Sequence, residues 1–301
     1  MAETNDRILP AIAMRLMSVA LFASMNAVIK LAEERGATLG EILFFRQFGA
    51  AILLTAILIA GPGLRSVTTQ RLPAHLARAA LGLSAMACTF TTVLVLPLAE
   101  STTLGFTMPI FATILGALIL REPTGWHRWA AVAAGFAGVL IVAQPGSGHF
   151  PIWGAVSGLA AAFLTASVSI LLRQISRTEG TMTTVFWFST LSLVPLGIVY
   201  AFVVQPHAPI TWILLIGIGL IGGVAQLAMT SALRLGPVSV VVPMDYSSLL
   251  WATAYGWLIF GVLPSTWTWI GAPVIIASGL YIVWREHVRR TQLTLETVPQ
   301  I

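Results

Sequence analysis

Charged side chains and cysteine are both scarce in this sequence. Only 9% of the 301 residues are charged, whereas an ordinary soluble domain is about one quarter charged. The single cysteine, Cys88, excludes an intramolecular disulfide, and its apolar run predicts a small packing residue. Hydrophobic residues make up 57% of the chain, and its mean hydropathy is +0.90. This composition excludes a soluble domain and predicts an all-α membrane protein that crosses the bilayer many times.

Other features exclude several function classes. The net charge of +5 does not indicate a nucleic-acid partner, because the 16 basic residues lie singly or in pairs at the ends of apolar runs. The five histidines lie in loops or near run ends, so we predict no metal site at membrane depth. The sequence shows no Walker-type glycine loop and no nucleophile beside a base. We therefore predict no cofactor and no enzymatic activity.

Ten apolar runs mark off candidate spans, and all but the short fifth run are about long enough to cross a bilayer, which requires about 20 residues. Glycine, proline and polar residues punctuate the chain between them, as in Gly61-Pro62-Gly63 and Gly236-Pro237. The first run has no small-residue cleavage site behind it, which predicts a retained span. The runs cover residues 8–32, 41–60, 75–96, 101–120, 129–143, 152–172, 182–204, 211–233, 238–262 and 266–284.

The basic residues predict the orientation. With ten spans, thirteen arginines fall on one side, and only Lys30, Arg35 and Arg46 fall on the other. Basic residues collect on the cytoplasmic side because their translocation is disfavoured. We therefore predict that both termini are cytoplasmic and that residues 288–301 form a cytoplasmic tail.

An internal repeat predicts the symmetry of the fold. Residues 123–142 match residues 264–283 at six of twenty positions with an offset of 141, including Pro123 with Pro264 and Trp126 with Trp267. This offset places the first five spans over the last five. Since five is odd, the second copy enters the membrane from the opposite side. Inverted repeats of this kind occur in many secondary transporters, with the substrate bound where the repeats meet.

Several segments also resemble a known family. They are FFRQ at 44–47, LPLAES at 96–101, LREPTGWHRWAAVAAGFAGVLIV at 120–142, SVVVPMDYSSLLWATAYGWLIFGVLP at 239–264 and ASGLYIVWRE at 277–286. Together they resemble the drug/metabolite transporter superfamily, in particular its ten-helix EamA-type inner-membrane exporters, and most of all its bacterial amino-acid exporters. One departure is that Val262 and Leu263 stand where family members commonly carry an acid before the position of Pro264.

The resemblance implies two inverted repeats, at residues 8–146 and 152–287. They would surround a central cavity lined mainly by spans one to four and six to nine. It also implies export of amino acids, other small metabolites or drugs.

The ninth run supplies the first candidate residues. Asp245 lies inside it beside Pro243, where an ionisable group is costly unless it faces a cavity or a partner. It could hold a substrate ammonium or a coupled proton, or form a structural ion pair. Pro243 in the ninth span and Pro109 in the fourth could be gating positions or simple packing kinks.

Arginine, amide and aromatic side chains complete the predicted substrate site. Arg46 could hold a substrate carboxylate through a two-pronged hydrogen bond, or extend outward to Glu41. Polar and aromatic residues inside runs could contact cargo or simply join and pack helices. The candidates are Asn26, Arg46, Phe90, Met108, Trp187, Gln226, Asp245, Tyr246 and Trp251.

These observations predict a secondary transporter that exports neutral, apolar or aromatic amino acids by alternating access. Alternatives are export of a nucleoside, a vitamin or a cationic drug, or a role as an intramembrane receptor or scaffold. The expected partners are a small-molecule substrate and the lipid bilayer, with the protein a monomer or weak dimer.

Overall fold

A computed structural model describes residues 8–119, 125–144, 151–176, 178–235 and 241–297. Regular structure in these residues is entirely helical. The α-helices are α1 (Ile8–Glu33), α2 (Leu39–Ala60), α3 (Leu72–Val95), α4 (Leu98–Gly105), α5 (Met108–Ile119), α6 (Trp126–Ala143), α7 (Ile152–Ile175), α8 (Thr181–Val203), α9 (Pro209–Leu235), α10 (Ser248–Phe260) and α11 (Thr266–Thr297). Two 3-10 turns occupy Leu64–Val67 and Val242–Ser247.

The predicted all-helical membrane fold is confirmed. Within the described residues, nine segments are long and apolar enough to cross a membrane, with α4 and α5 together forming one of them. The remaining predicted run appears as the Val242–Ser247 turn followed by α10. Large apolar side chains on the outer surface are exposed, such as Leu9, Phe202 and Leu250. Lipid would cover such a surface, since contiguous apolar patches of this extent are rare on soluble proteins.

Local signals set where the helices begin and end. Thr38 and Glu41 form a reciprocal capping box at the start of α2, which satisfies two backbone N–H groups. Gly61 ends the same helix, and Gly261 ends α10 in the left-handed conformation that glycine adopts without strain. Pro209 opens α9, where the missing N–H has no intrahelical partner to lose.

The helix contacts repeat between the two halves. Spans one to five are α1, α2, α3, α4 with α5, and α6, and spans six to ten follow in the same order. Helix α1 packs along α9 as α7 packs along α3, so the first span of each half contacts the third span of the other. The matching pairs α2 with α8 and α6 with α11 also pack on each other. Such reciprocal contacts between the halves are expected when two inverted repeats are related by a two-fold axis.

The cytoplasmic location of the termini stays a prediction.

Glycines allow two helix pairs, α2 with α9 and α6 with α11, to approach closely. A β-carbon at Gly49 of α2 would lie 2.5 Å from the backbone of Gly219 on α9. In the outer pair, a β-carbon at Gly138 of α6 would lie 3.1 Å from the carbonyl oxygen of Gly271 on α11. Small residues permit such backbone contact inside membranes. The close α2–α9 crossing has a functional consequence, because it brings Arg46 against α9.

Candidate functional site

Two interrupted spans meet inside the helix bundle. The fourth span breaks between Gly105 and Met108, and the ninth contains the Val242–Ser247 turn. Pro109 lies in the first turn of α5, and Pro243 lies at the start of the Val242–Ser247 turn itself, and at such first-turn positions proline costs no intrahelical hydrogen bond. The two interruptions touch directly, because the ring of Phe106 contacts the ring of Tyr246 edge-on at 4.9 Å between centroids.

Hydroxyl groups satisfy freed carbonyls at both interruptions. Thr107 Oγ1 donates to the carbonyl oxygen of Leu104 at 2.7 Å, and Ser247 Oγ donates to that of Met244 at 2.6 Å. Broken helices are tolerated at membrane depth only where such groups are satisfied or line a cavity. Since the corresponding span is interrupted in each half, the interruption belongs to the repeated architecture.

Asp245 pairs with Arg15 of α1, a residue that the sequence did not single out for the site. Nε and Nη2 of Arg15 donate to Oδ1 and Oδ2 of the carboxylate, a parallel two-bond arrangement. The Arg15 side chain is 12% exposed and that of Asp245 is 35% exposed. The pair joins the first span to the interrupted ninth span. Of the two alternatives for Asp245, the structure shows the ion pair.

Arg46 lies in the interior and does not reach Glu41. Its side chain is 7% exposed. Nη1 donates to Oε1 of Gln47, and Nη2 donates to Oε1 of Gln226 on α9 at 3.5 Å. The structure therefore brings together two of the predicted site residues, Arg46 and Gln226. Nε of Arg46 and Nε2 of Gln47 are buried and have no hydrogen-bond partner in the described part of the chain.

A second inward arginine, Arg78 of α3, was not predicted as a site residue. Its guanidinium lies 4.1 Å from the centroid of the Phe188 ring on α8, a cation–π arrangement. Its charge interacts electrostatically with that of Arg46. Nε and Nη1 of Arg78 are buried, again without a partner among the described residues. Its signal in the sequence is Gly82, one turn later on the same helix face, which leaves room for the guanidinium.

A hydroxyl-lined cavity lies between α3, the fourth span and α7. It has a volume of about 210 Å³. Met108, one of the predicted substrate residues, lines it together with small and hydroxyl-bearing side chains. These include Thr89, Thr92, Ser101 and Thr165. The lining is therefore mostly apolar with a few hydroxyl groups, and the cavity adjoins the interruption of the fourth span at Gly105 and Met108.

The other predicted residues lie in several environments. Phe90 is buried in the core cluster that includes Met25 and Met86. The Trp187 indole N–H donates to the carbonyl oxygen of Val67 at 2.8 Å, which ties α8 to the connection between α2 and α3. Asn26 is half-buried on α1, and Trp251 is 40% exposed and stacks on Tyr255. These four residues thus occupy separate surroundings.

Two buried carboxylates, Glu41 and Glu100, hold connections between helices in place, a role that the sequence did not predict. Glu41 accepts from His207 Nε2 at 2.8 Å and from the backbone N–H of Gln205 at 3.2 Å. Glu100 accepts from the backbone N–H of Ser265 and from the hydroxyl of Thr268, both at 2.9 Å. Each of them fastens the start of one helix to a distant connection.

Comparisons with known proteins identify the family. A sequence profile of the EamA-like transporter family matches residues 9–144 and 152–284. A riboflavin transporter of Vibrio cholerae is 30% identical over 90% of this chain and 92% of its own length. A riboflavin transporter of Rhizobium johnstonii is 31% identical over 96% and 95%, respectively. A pseudopaline exporter of Pseudomonas aeruginosa is 28% identical over 85% of this chain and 90% of its own.

A solved crystal structure resembles the whole chain at a TM-score of 0.61. It covers 93% of this chain and 98% of its own length at 16% identity, which shows a shared fold. The profile matches nearly all of the chain in two copies, and the structure provides the helices, the interruptions and the polar interior of a membrane transporter. The chain belongs to the EamA-like transporter family.

Proposed function

We propose that this transporter carries riboflavin or a closely related flavin. The observation that carries the assignment is that two relatives named riboflavin transporters are 30% and 31% identical over at least nine tenths of each chain. The interior supports it chemically. A flavin ring presents two carbonyl oxygens and ring nitrogens as acceptors, and Arg46, Gln47 and Arg78 hold unpartnered donors.

Export of an amino acid is the second candidate. The sequence predicts it, and the free donors of Arg46 would suit a substrate carboxylate. However, the predicted partner for the ammonium group, Asp245, already accepts two hydrogen bonds from Arg15. An amino acid would therefore have to break that ion pair or bind its ammonium elsewhere, whereas a flavin has no such requirement.

The proposed cycle is alternating access between the two repeats. Pro109 and Pro243 mark the interruptions at which each half would bend. Arg15 and Asp245 would close one side by joining α1 to the ninth span. Glu41 with His207 would close the other by joining α2 to the connection before α9. Opening one side would break one set of contacts and keep the other, which is how an occluded cargo changes sides.

Purified protein in liposomes tests the cargo. We expect labelled riboflavin to exchange with unlabelled riboflavin across the membrane, in either direction, above the rate in protein-free liposomes. A mixture of labelled amino acids is measured in the same vesicles. Flux of an amino acid without flux of riboflavin would overturn the flavin assignment and favour the second candidate.

A hinge variant tests the cycle. Pro243→Ala removes the ring that fixes the backbone φ angle at the interruption, and so changes the stiffness of this segment. We expect slower riboflavin exchange with unchanged riboflavin affinity, because movement and not binding is affected. Pro195→Ala, a proline inside α8 and outside both interruptions, is the matched control. Equal exchange rates in Pro243→Ala and the wild type would contradict a hinge at this position.

A further inference from the structure

Arg46 is held deep between helices. It is the eighth residue of α2, about 10 Å from the start of the helix at 1.5 Å per residue. A β-carbon at Gly222, midway along α9, would lie 3.6 Å from Nε of Arg46. The guanidinium therefore lies beside the middle of a spanning helix. A long basic side chain at this depth would ordinarily extend toward the membrane surface.

Arg78 also extends inward. It is the seventh residue of α3, and helical side chains generally lean toward the N-terminal end, which here is the nearer membrane surface. Its guanidinium instead lies over Gly82, one turn deeper, where a β-carbon would collide with Nη1. Since α2 and α3 are consecutive and antiparallel, Arg46 and Arg78 approach the interior from opposite membrane faces.

Nearby carboxylates do not balance these two charges. Neither arginine has an ion-pair partner among the described residues. Three carboxylates of the spans bond to other groups: the partly exposed Asp245 to Arg15, and the buried Glu41 and Glu100 to His207 and to Ser265 with Thr268, respectively. Two positive charges are thus left in the interior without a counter-charge, in a medium that disfavours even one.

Two neutral side chains also have buried polar groups without a hydrogen-bond partner. Nε2 of Gln47 and Oγ of Ser192 are buried without a hydrogen-bond partner in the described ranges. Ser192 lies one turn beyond Phe188 on the same face of α8, and Phe188 is the ring beneath Arg78. Buried polar groups in native structures are nearly always hydrogen-bonded, so an unpartnered set calls for a ligand that accepts.

We infer that Arg46 and Arg78 form a binding site for one oxyanion, a carboxylate or phosphate group, near the middle of the membrane. Guanidinium groups match the two-oxygen geometry of these anions, and one bound anion would also remove the repulsion between the arginines. The anion would be either an acidic group of the cargo or a free inorganic ion. The site would bind an anion whether or not the cargo is a flavin.

Thermal unfolding of the purified protein with inorganic phosphate tests the site. Phosphate replaces chloride at constant ionic strength, and tryptophan fluorescence reports Tm. We expect phosphate to raise the Tm of the wild type by about 3 °C. Arg46→Gln and Arg78→Gln should each lose most of this shift. Arg71→Gln, at an exposed arginine that contacts Thr178, should keep it in full.

The outcomes separate the two sources of the anion. If riboflavin and phosphate raise Tm additively, the anion is a separate ion and the flavin binds to groups other than these arginines. If flavin mononucleotide raises Tm more than riboflavin does, and phosphate adds nothing to it, the acidic group belongs to the cargo. A phosphate shift that survives in Arg46→Gln and Arg78→Gln, or no shift in the folded wild type, would overturn the inference. It would do so even if riboflavin transport were demonstrated.

Discussion

Arg15 and Arg46 lie in two consecutive spanning helices, α1 and α2, and have opposite surroundings. Arg15 has a carboxylate partner within the protein, whereas Arg46 has only amide partners. A charge balanced internally stabilises one conformation. An unpaired charge in the membrane interior is costly, so a ligand of opposite charge that pairs with it would bind favourably.

This difference predicts that Arg46 contributes to transport and that Arg15 contributes to the stability of the fold. Replacing a paired residue should change the Tm or the balance between open states. Replacing an unpaired one should change binding while leaving the fold intact. The experiments below test these two roles.

The largest effect is expected from the double variant Arg46→Gln with Arg78→Gln. Transport should fall on the order of 100-fold, because several charge-assisted hydrogen bonds to the cargo or its anion are lost. The Tm in phosphate-free buffer should stay within a few degrees of the wild type, since two repelling charges leave the interior. Exchange in liposomes and fluorescence melting measure the two quantities. A large fall in Tm with transport retained would reverse the roles assigned to the two kinds of arginine.

Asp245→Asn should have the next largest effect, on stability. It leaves Arg15 largely buried without a counter-charge, which we expect to cost about 2 kcal/mol, less than for a fully buried pair because Asp245 is partly exposed. The loss would lower the Tm by several degrees. Arg15→Gln combined with Asp245→Asn removes both charges and should recover most of the loss. If the single and double variants melt alike, the pair does not stabilise this conformation.

Gln47→Glu should convert the unbalanced site into a balanced one. Gln47 is fully buried and accepts from Nη1 of Arg46, so a glutamate there supplies a tethered anion at nearly the same volume. We expect a higher Tm in phosphate-free buffer, no further rise with phosphate, and transport slowed about tenfold, equivalent to about 1.4 kcal/mol. Gln47→Met, similar in size and uncharged, is the control. Equal phosphate responses in Gln47→Glu and the wild type would place the anion elsewhere.

Sequence reasoning recovered the spans because it rests on local patterns. Apolar runs of sufficient length predicted the helices, and Pro109 and Pro243 drew attention to the two spans that are interrupted. Met108 was predicted to contact cargo, and the structure places it in the hydroxyl-lined cavity.

Contacts between residues that are distant in the sequence could not be predicted from local patterns. Arg15 and Asp245 are 230 positions apart, and no local pattern links them. Arg78 was counted among the cytoplasmic arginines because it lies near a run end, yet its guanidinium extends inward over Gly82. Trp187 stays a predicted cargo contact, and the hydrogen bond from its indole N–H to Val67 could not be foreseen. Side-chain direction and partner choice depend on tertiary packing, which span length and charge counts do not encode.

The smallest effect is expected at Arg71, an arginine that water can solvate. Nη1 of Arg71 donates to Thr178 Oγ1 at 2.9 Å and to the carbonyl oxygen of Gln174 at 3.4 Å, across the connections that precede α3 and follow α7. Both contacts are exposed, and such surface bonds contribute little because solvent replaces them. Arg71→Gln should change the free energy of unfolding by less than about 0.5 kcal/mol and leave riboflavin exchange unchanged. A fall in exchange as large as that of the Arg46 and Arg78 double variant would show that net positive charge, and not burial without a partner, sets the transport rate.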